Sequence, residues 1–277
     1  ITVRRAGRVL YEVSAQTKAI SAFLQSMDRS VDGARLFDLV GFRCAECSSS
    51  FMRGVDFYNI PTTVLSQVDS SIGGKTAIDF MGYKNIVGAF YQPKKVVIDS
   101  ETLKTLPQRQ ISNGLAESVK MALTSDAELF KIFENSDIYK DEVIDEIIYR
   151  SLLIKKDVVE KDEREAGLRR ILNFGHTLGH GIEALGELYH GECVALGMIP
   201  MCGEGVRPRL IEVLKKCGLY RKLQYDWEKI TEAAFHDKKA DPQRGSANFN
   251  YANNYFLSAA STVAVVSPLI AIERSLV

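Results

Sequence analysis

The sequence predicts an α/β N-terminal part over residues 1–99, followed by an all-α, metal-binding part over residues 100–277. Before residue 100, short runs of β-branched and aromatic residues are bounded by prolines, which is typical of strands. After residue 100, apolar residues recur at helical spacing over long stretches. A cluster of histidines within the second part points to the metal.

Proline marks a boundary of each predicted strand in the first part. Residues 55–60 end at Pro61, and residues 95–99 follow Pro93. Because proline cannot donate to a strand ladder, it is common at strand ends. The first part is therefore expected to contain short strands.

Apolar periodicity defines the helices of the second part. In the second predicted helix, Val143, Ile147 and Ile154 share one broad face, and acidic residues fill the early turns, as the helix dipole favours. The predicted helices cover residues 109–134, 137–160, 172–187 and 209–217.

The overall charge of the chain is balanced. Thirty-five basic and 35 acidic residues give a formal net charge of +0, which argues against a surface that binds nucleic acid.

The five cysteines are odd in number and form no regular ladder, which favours a reducing compartment. The longest uncharged run, residues 256–272, contains Pro268 and is short for a membrane span. No nucleic-acid or membrane partner is therefore predicted.

Three of the four histidines lie close together in the sequence, at His176, His180 and His190. Neutral imidazole is a common zinc ligand, and a catalytic zinc site uses about three protein ligands with one position open. His176 and His180 are four residues apart, so a helix would place both on one face. The alternative is that these histidines are buried and hydrogen-bonded without a metal.

A pair of glycines precedes a lysine at Gly73-Gly74-Lys75. The motif is not a P-loop, because the position that requires the first glycine holds Asp69. It still predicts backbone N–H groups that approach an oxyanion beside a cation, and Lys84-Asn85 adds a second cation and an amide. A solvated turn that carries lysines is the alternative.

Glu117 and Lys120 are three residues apart and share one face of a predicted helix. They form either an ordinary ion pair or a metal-binding carboxylate with an ammonium directed toward the substrate. Lys155, Arg169 and Asn173 supply further donors before the first histidine of the cluster. The second part therefore predicts a site in which a metal lies near several groups that bind phosphate or carboxylate.

A series of motifs occurs in a fixed order along the chain: Arg53-Gly54, residues 60–63, 67–76, 84–90, 115–120, 167–180 and 190–192. Together they resemble the 3-dehydroquinate synthase family, densely over residues 51–200 and again at residues 236–239. The resemblance implies an incomplete Rossmann-like nucleotide-binding part and a helical metal-binding part.

The resemblance also implies an activity in the shikimate pathway of aromatic amino acid biosynthesis. Members of the family are lyases that convert 3-deoxy-D-arabino-heptulosonate 7-phosphate to 3-dehydroquinate and phosphate. NAD accepts and later returns a hydride, and zinc or cobalt holds the reacting hydroxyl. The family works as a cytoplasmic homodimer, so the resemblance implies a phosphorylated sugar-acid substrate and a second copy of the chain as partners.

Site residues follow from the positions that match the family's motifs. The residues that match metal ligands are Glu117, His176 and His190. Those that match catalytic groups are His180, for proton transfer, and Lys120, Lys155, Arg169 and Asn173. Those that match further substrate contacts are Arg53, reaching across the dimer interface, Lys75, Asn85 and one of Lys238 or Lys239. Those that match positions near NAD are Gly33, Asp38, Thr62, Thr63, Asp69, Lys84 and Thr105.

The match to the family is weakest at the glycine-rich turn. Gly33 and Asp38 match there, but Arg35 and Phe37 place side chains where a backbone must approach a pyrophosphate. Both terminal parts are expected to be truncated or divergent. Three alternatives stay open: a 2-deoxy-scyllo-inosose or 2-epi-5-epi-valiolone synthase type of cyclase, an enzyme like glycerol dehydrogenase, and a truncated metal-binding remnant without turnover.

Overall fold

The computed structural model describes residues 2–5, 8–12, 48–49, 53–80, 83–186, 188–222, 229–230, 233–234, 240–241 and 246–247. The chain folds into two units, Ile1–Leu106 and Pro107–Val277. The sequence predicts this division after residue 99, and the structure has it after a 3-10 helix at Ser100–Thr105.

Paired strands make up the sheet structure of the first unit. They are β1 (Thr2–Arg5), β2 (Arg8–Glu12), β3 (Tyr58–Asn59), β4 (Lys75–Phe80), β5 (Tyr83–Phe90) and β6 (Lys95–Val96). β1 and β2 are antiparallel, β3 and β6 are parallel, and β4 and β5 form an antiparallel hairpin. The strands predicted over residues 55–60 and 95–99 are confirmed but shorter, whereas the hairpin was not predicted.

A buried glutamine fixes the chain ahead of the hairpin. The amide nitrogen of Gln67 lies 3.2 Å from the carbonyl oxygen of Pro61 and 3.0 Å from that of Asp99. Gly73 and Gly74 then adopt positive φ angles of 101° and 65°, which glycine tolerates at little cost. Lys75 begins β4 directly after this pair.

Helices dominate the second unit. They are α1 (Gln108–Ser125), α2 (Ala127–Asn135), α3 (Asp141–Lys161), a 3-10 helix (Leu168–Asn173), α4 (His176–Leu185), α5 (His190–Met201) and α6 (Arg207–Lys216). One short antiparallel pair, β7 (Ala240–Asp241) with β8 (Ser246–Ala247), also belongs to this unit. Contrary to the sequence prediction, the second part of the chain is therefore not all-α, because it also contains this pair of short strands.

The helix predicted over residues 109–134 is two helices. Asp126 has an extended backbone, with φ −147° and ψ 98°, and its carboxylate accepts from the backbone N–H groups of Glu128 and Leu129 at 2.9 and 3.0 Å. Such a side chain satisfies donors that a helix start leaves unpaired. The apolar pattern continues across the break because α1 and α2 pack against each other.

The helix α5 was not predicted, and it is buried along most of its length. Its residues from Gly191 to Ile199 are buried, and it packs against α4 and α1. A helix that is apolar all round lacks the periodic pattern that identifies an amphipathic helix. Close packing explains its glycines, because a Cβ on Gly197 would collide with the backbone of Gly175 and Gly179.

Replacing Gly197 by alanine is expected to lower the free energy of unfolding by about 1–3 kcal/mol, because the added methyl forces α4 and α5 apart. Chemical denaturation followed by circular dichroism measures the change. Gly205→Ala is the control, since a Cβ there meets no atom within 4 Å in the described part of the chain. Equal denaturation midpoints for the two variants would contradict the close approach.

Within the described ranges, no helix combines the length and the apolar character that crossing a membrane requires. The uncharged run at residues 256–272 lies outside the described residues.

Candidate metal centre

One carboxylate and two imidazoles converge in the second unit. The Oε1 atom of Glu117 lies 3.5 Å from Nε2 of His176 and 3.5 Å from Nε2 of His190. One donor atom from each residue lies within 4.8 Å of the other two. Glu117 comes from the middle of α1, whereas His176 and His190 are the first residues of α4 and α5. Three helices therefore contribute one donor each.

The second nitrogen of each imidazole meets an acceptor. Nδ1 of His176 lies 3.3 Å from the carbonyl oxygen of Phe174, and Nδ1 of His190 lies 3.3 Å from Oε2 of Glu183. A carbonyl oxygen or an ionised carboxylate can only accept a hydrogen bond, so Nδ1 is the donor in both rings. In the neutral rings, both Nε2 lone pairs are then directed toward Glu117.

The cluster fits a zinc-type ion. Glu117 is 0% exposed; its Oε2 accepts from Lys120, whereas its Oε1 has no hydrogen-bond partner among the residues that the structure describes. Lone pairs of one oxygen and two nitrogens that face one another repel unless a cation lies between them. Two imidazoles and a carboxylate form a ligand set typical of catalytic zinc, with one position left open.

The pKa shifts of Glu117 and His190 also indicate that the cluster favours an added positive charge. Burial opposes ionisation of Glu117, but the charges of Lys120 and the two histidines outweigh it and hold the pKa of Glu117 well below its usual range. Burial also disfavours the charged form of His190, yet the nearby carboxylates of Glu117 and Glu183 raise its pKa to about 9. Without a metal, the cluster thus attracts a proton.

Among the described residues of the second unit, three cations are buried. Lys120, Lys155 and Arg169 are 1%, 5% and 2% exposed. The guanidinium of Arg169 donates to the carbonyl oxygen of Glu163 at 2.5 Å, and the amide of Asn173 donates to a carboxylate oxygen of Glu165 at 2.5 Å. These side chains place positive charge in the interior of the second unit, where attraction to an anion is stronger than in water.

A turn held by Asp162 fixes the start of the 3-10 helix. The Asp162 carboxylate accepts from the backbone N–H groups of Ala166, Gly167 and Arg169 at 2.8, 2.8 and 2.9 Å. These hydrogen bonds lower the pKa of Asp162, and the bond from the backbone N–H of Arg169 contributes most. The Asp162 carboxylate, which is half-buried, thus positions the backbone of the buried Arg169.

Asp162→Asn is expected to destabilise the second unit at neutral pH, because the amide loses the charge that strengthens three hydrogen bonds. A lowered folded-state pKa contributes stability above the unfolded pKa of about 4 and loses it as the pH falls. The difference in unfolding midpoint between variant and wild type should therefore be present at about pH 7 and shrink toward about pH 3. A difference independent of pH would contradict the role of the charge.

A buried carboxylate holds the first turn of α5, which begins with His190. Glu192 is 1% exposed and accepts two hydrogen bonds from Arg109, at 2.9 and 2.8 Å, and one from Arg221 at 3.1 Å. It also accepts from the backbone N–H of Tyr189 at 3.0 Å. Burial opposes ionisation, but these partners lower the pKa of Glu192. The position of His190 therefore depends on this carboxylate.

Sequence reasoning did not identify the groups that support the cluster. Besides Glu192, they are Asn113, whose Oδ1 accepts from the N–H of Gly191 at 2.6 Å, and Glu183. The available signal for Glu183 was its spacing, since it follows His180 by three residues and thus shares a helix face with it. Donor atoms of His180, Glu183 and His190 also lie within 4.8 Å of one another.

His180 lies beside the cluster. Its ring centroid is 5.5 Å from that of His176 and 5.9 Å from that of His190. The predicted placement of His176 and His180 on one helix is confirmed by α4.

The residues predicted to contact NAD and further parts of the substrate belong mostly to the first unit. Lys75 is exposed at the start of β4, and Arg53 and Asn85 have positive φ angles of 68° and 48°, which are uncommon for residues other than glycine. The other positions in that unit are Thr62, Thr63, Asp69 in a π-helical turn, Lys84 in β5 and Thr105 in a 3-10 helix. Gly33, Asp38, Lys238 and Lys239 lie outside the described residues. The roles of all these residues stay predictions.

Two family profiles match consecutive parts of the chain. The profile described as "3-dehydroquinate synthase N-terminal" matches residues 10–113, and the one described as "3-dehydroquinate synthase C-terminal" matches residues 114–240. The second match contains the whole candidate metal centre.

Relatives with the same description match most of the chain. A 3-dehydroquinate synthase of Acetivibrio thermocellus is 46% identical over 235 residues, which cover 79% of this chain and 63% of the relative. One of Pelobacter propionicus is 43% identical over 228 residues, covering 76% of this chain and 62% of the relative. The chain therefore spans less than two thirds of the length of these relatives.

Solved structures of related cyclases share the fold. A 2-epi-5-epi-valiolone synthase from Streptomyces hygroscopicus subsp. jinggangensis, with NAD+ and Zn2+ bound, has a TM-score of 0.65 and 26% identity, covering 79% of this chain and 67% of that chain. A 2-deoxy-scyllo-inosose synthase complexed with carbaglucose-6-phosphate, NAD+ and Co2+ has a TM-score of 0.68 and 25% identity, covering 84% and 70%.

Proposed function

Because the chain belongs to the 3-dehydroquinate synthase family, we propose that it converts 3-deoxy-D-arabino-heptulosonate 7-phosphate to 3-dehydroquinate and inorganic phosphate. The observation that carries the proposal is the convergence of Glu117 Oε1 with Nε2 of His176 and of His190. A structural core would not require three buried or half-buried polar groups from three helices to meet at one point.

The proposed cofactors are NAD and a divalent metal, zinc or cobalt, held by Glu117, His176 and His190. When bound, the metal would polarise a substrate hydroxyl, and NAD would accept a hydride from the carbon that carries this hydroxyl. Support comes from the donor set itself and from the related cyclases, which were solved with NAD+ and Zn2+ or Co2+.

The buried cations are proposed to bind the anionic groups of the substrate. Lys155 and Arg169 supply charge in a low-dielectric environment, where attraction to a carboxylate or phosphate is strongest. Asn173, at the end of the same 3-10 helix as Arg169, supplies an amide. Lys120 keeps Glu117 ionised through their ion pair, which makes the carboxylate available as a ligand.

His180 is proposed to transfer a proton during catalysis. It lies one helical turn after His176 and is half-buried, and its ring is within 5.9 Å of both imidazoles of the cluster. Histidine suits this role because its charge changes near neutral pH.

Further residues of the first unit and of the C-terminal part have proposed roles that rest on the family resemblance. Those proposed to bind substrate are Arg53, Lys75, Asn85 and Lys238 or Lys239. Those proposed to bind NAD are Gly33, Asp38, Thr62, Thr63, Asp69, Lys84 and Thr105. We also propose a cytoplasmic homodimer, as the resemblance implies.

A second candidate is a cyclase of the 2-deoxy-scyllo-inosose or 2-epi-5-epi-valiolone type. The similarity of fold to solved cyclases of both types favours it. The identities argue for the first candidate, because they are 46% and 43% to 3-dehydroquinate synthases but 26% and 25% to the other cyclases.

A phosphate-release assay separates these functions. We expect release from the heptulosonate phosphate only when both NAD and zinc or cobalt are added. Glucose 6-phosphate, the parent sugar of the carbaglucose 6-phosphate bound by one related cyclase, is the competing substrate. Release from glucose 6-phosphate alone would favour a cyclase of the 2-deoxy-scyllo-inosose type. No release from either would contradict the proposed activity and favour a metal-binding remnant.

A further inference from the structure

The two imidazoles of the metal cluster are oriented in different ways. Nδ1 of His176 donates to the backbone carbonyl of Phe174, two residues before it, so its ring is fixed by the chain itself. Nδ1 of His190 lies 3.3 Å from a side-chain oxygen of Glu183, on the neighbouring helix α4. The orientation of His190 therefore depends on a group that substitution can remove.

We propose that Glu183 is a positioning residue of the metal centre: it accepts a hydrogen bond from Nδ1 of His190 and so presents Nε2 to the ion. The inference rests on the proposed metal centre. A carboxylate behind a metal-binding histidine fixes the tautomer and the ring orientation and makes the other nitrogen a better ligand.

The exposure of the two histidines explains why His190 needs this support. The His190 side chain is 30% exposed, against 11% for His176, so surrounding atoms restrain its ring less. Glu183 is 25% exposed, which permits an ionised carboxylate without a large desolvation cost. Glu183 lies near the end of α4 and His190 starts α5, so the hydrogen bond also links two helices that each contribute a ligand.

The same atoms offer one competing arrangement. His180, Glu183 and His190 could hold a second ion of their own, because their donor atoms lie within 4.8 Å of one another. A ring that binds an ion through each nitrogen must lose its Nδ1 proton, whereas a hydrogen bond to Glu183 keeps that proton in place. The positioning role therefore predicts one zinc per chain, not two.

Zinc affinity tests the role directly. Competition with a chromophoric chelator is expected to show about 10- to 100-fold weaker binding for Glu183→Ala, the range typical of such supporting groups. Glu183→Gln should lose less, since its amide oxygen can still accept from Nδ1. Glu212→Gln, which removes an exposed carboxylate of α6 that pairs with Lys215, is the matched control and should bind zinc like the wild type. Circular dichroism of the metal-free variants checks that they fold.

A spectroscopic readout separates positioning from a general loss of structure. In the cobalt-loaded chain, each histidine bound through Nε2 should give one paramagnetically shifted, exchangeable Nδ1–H proton signal. Glu183→Ala should remove or broaden the signal of His190, because its proton then exchanges with water. The signal of His176, protected by the Phe174 carbonyl, should remain.

The outcomes distinguish this inference from the proposed function. Wild-type affinity with both proton signals intact in Glu183→Ala would overturn the positioning role and leave the metal centre standing. Two zinc ions per wild-type chain, with one lost in Glu183→Ala, would overturn it in favour of a second ion site. A wild-type chain that retains no zinc would overturn the metal centre itself and this inference with it.

Discussion

Replacing Glu117 by glutamine is expected to abolish zinc retention and to lower the free energy of unfolding of the metal-free chain by about 3–5 kcal/mol. The carboxylate supplies a ligand atom through Oε1 and an ion-pair partner for Lys120 through Oε2. Because Lys120 is only 1% exposed, the substitution leaves a buried ammonium without its counter-charge. Urea denaturation of the chelator-treated protein measures the stability, and atomic absorption measures the zinc.

A matched pair on the surface controls for the loss of a Glu–Lys contact. Glu128 and Lys131 have the same spacing of three residues, at 2.7 Å, but are 65% and 57% exposed. Glu128→Gln should cost less than about 1 kcal/mol, as exposed ion pairs do. Adding Lys120→Met to Glu117→Gln should recover part of the stability. Equal effects of Glu117→Gln and Glu128→Gln would contradict the buried pair.

His176→Ala is expected to weaken zinc binding by more than about 100-fold, because it removes a direct ligand and not merely a supporting group. The fold should persist, since an alanine at the first residue of α4 keeps the left-handed Gly175 that starts the helix. Isothermal titration with zinc measures the loss.

His180→Ala is the matched control for the histidine substitution. It removes an imidazole one turn further along α4 that does not belong to the Glu117 cluster. Its zinc content should stay close to that of the wild type. Stoichiometric zinc in His176→Ala, or equal losses in both variants, would contradict the assignment of His176 as a ligand.

The helices that carry a periodic apolar face could be predicted from the sequence. Residues 137–160 and 209–217 correspond closely to α3 and α6, because each helix packs one face against the core and exposes the other. α5 could not be predicted in this way. It is buried on nearly all sides, so its sequence has no polar face from which to read a period.

The candidate metal centre was only partly predictable. The clustering of His176, His180 and His190 indicated a metal, and the family resemblance selected Glu117, His176 and His190 as its ligands. Spacing left Glu117 as either an ion-pair partner or a ligand. In the structure its Oε2 pairs with Lys120, whereas its Oε1 faces His190. The spacing of Glu183 relates it only to His180. Its contact with His190 arises from the packing of α4 on α5, which neither spacing nor the motif contained.

The first unit shows the limits of local sequence patterns. The alternation of Lys75-Thr-Ala-Ile-Asp-Phe80 is compatible with a strand, but the glycines before it indicated a loop. Their positive φ angles turn the chain into β4, so loop and strand meet at Lys75.

Anomalous diffraction at the zinc absorption edge, from crystals of the zinc-loaded chain, tests the central claim most directly. We expect a single peak bonded to Oε1 of Glu117 and to Nε2 of His176 and of His190, with zinc–ligand distances of about 2.0–2.2 Å. A peak elsewhere, or none within bonding distance of Glu117, would contradict the metal centre and the function proposed from it.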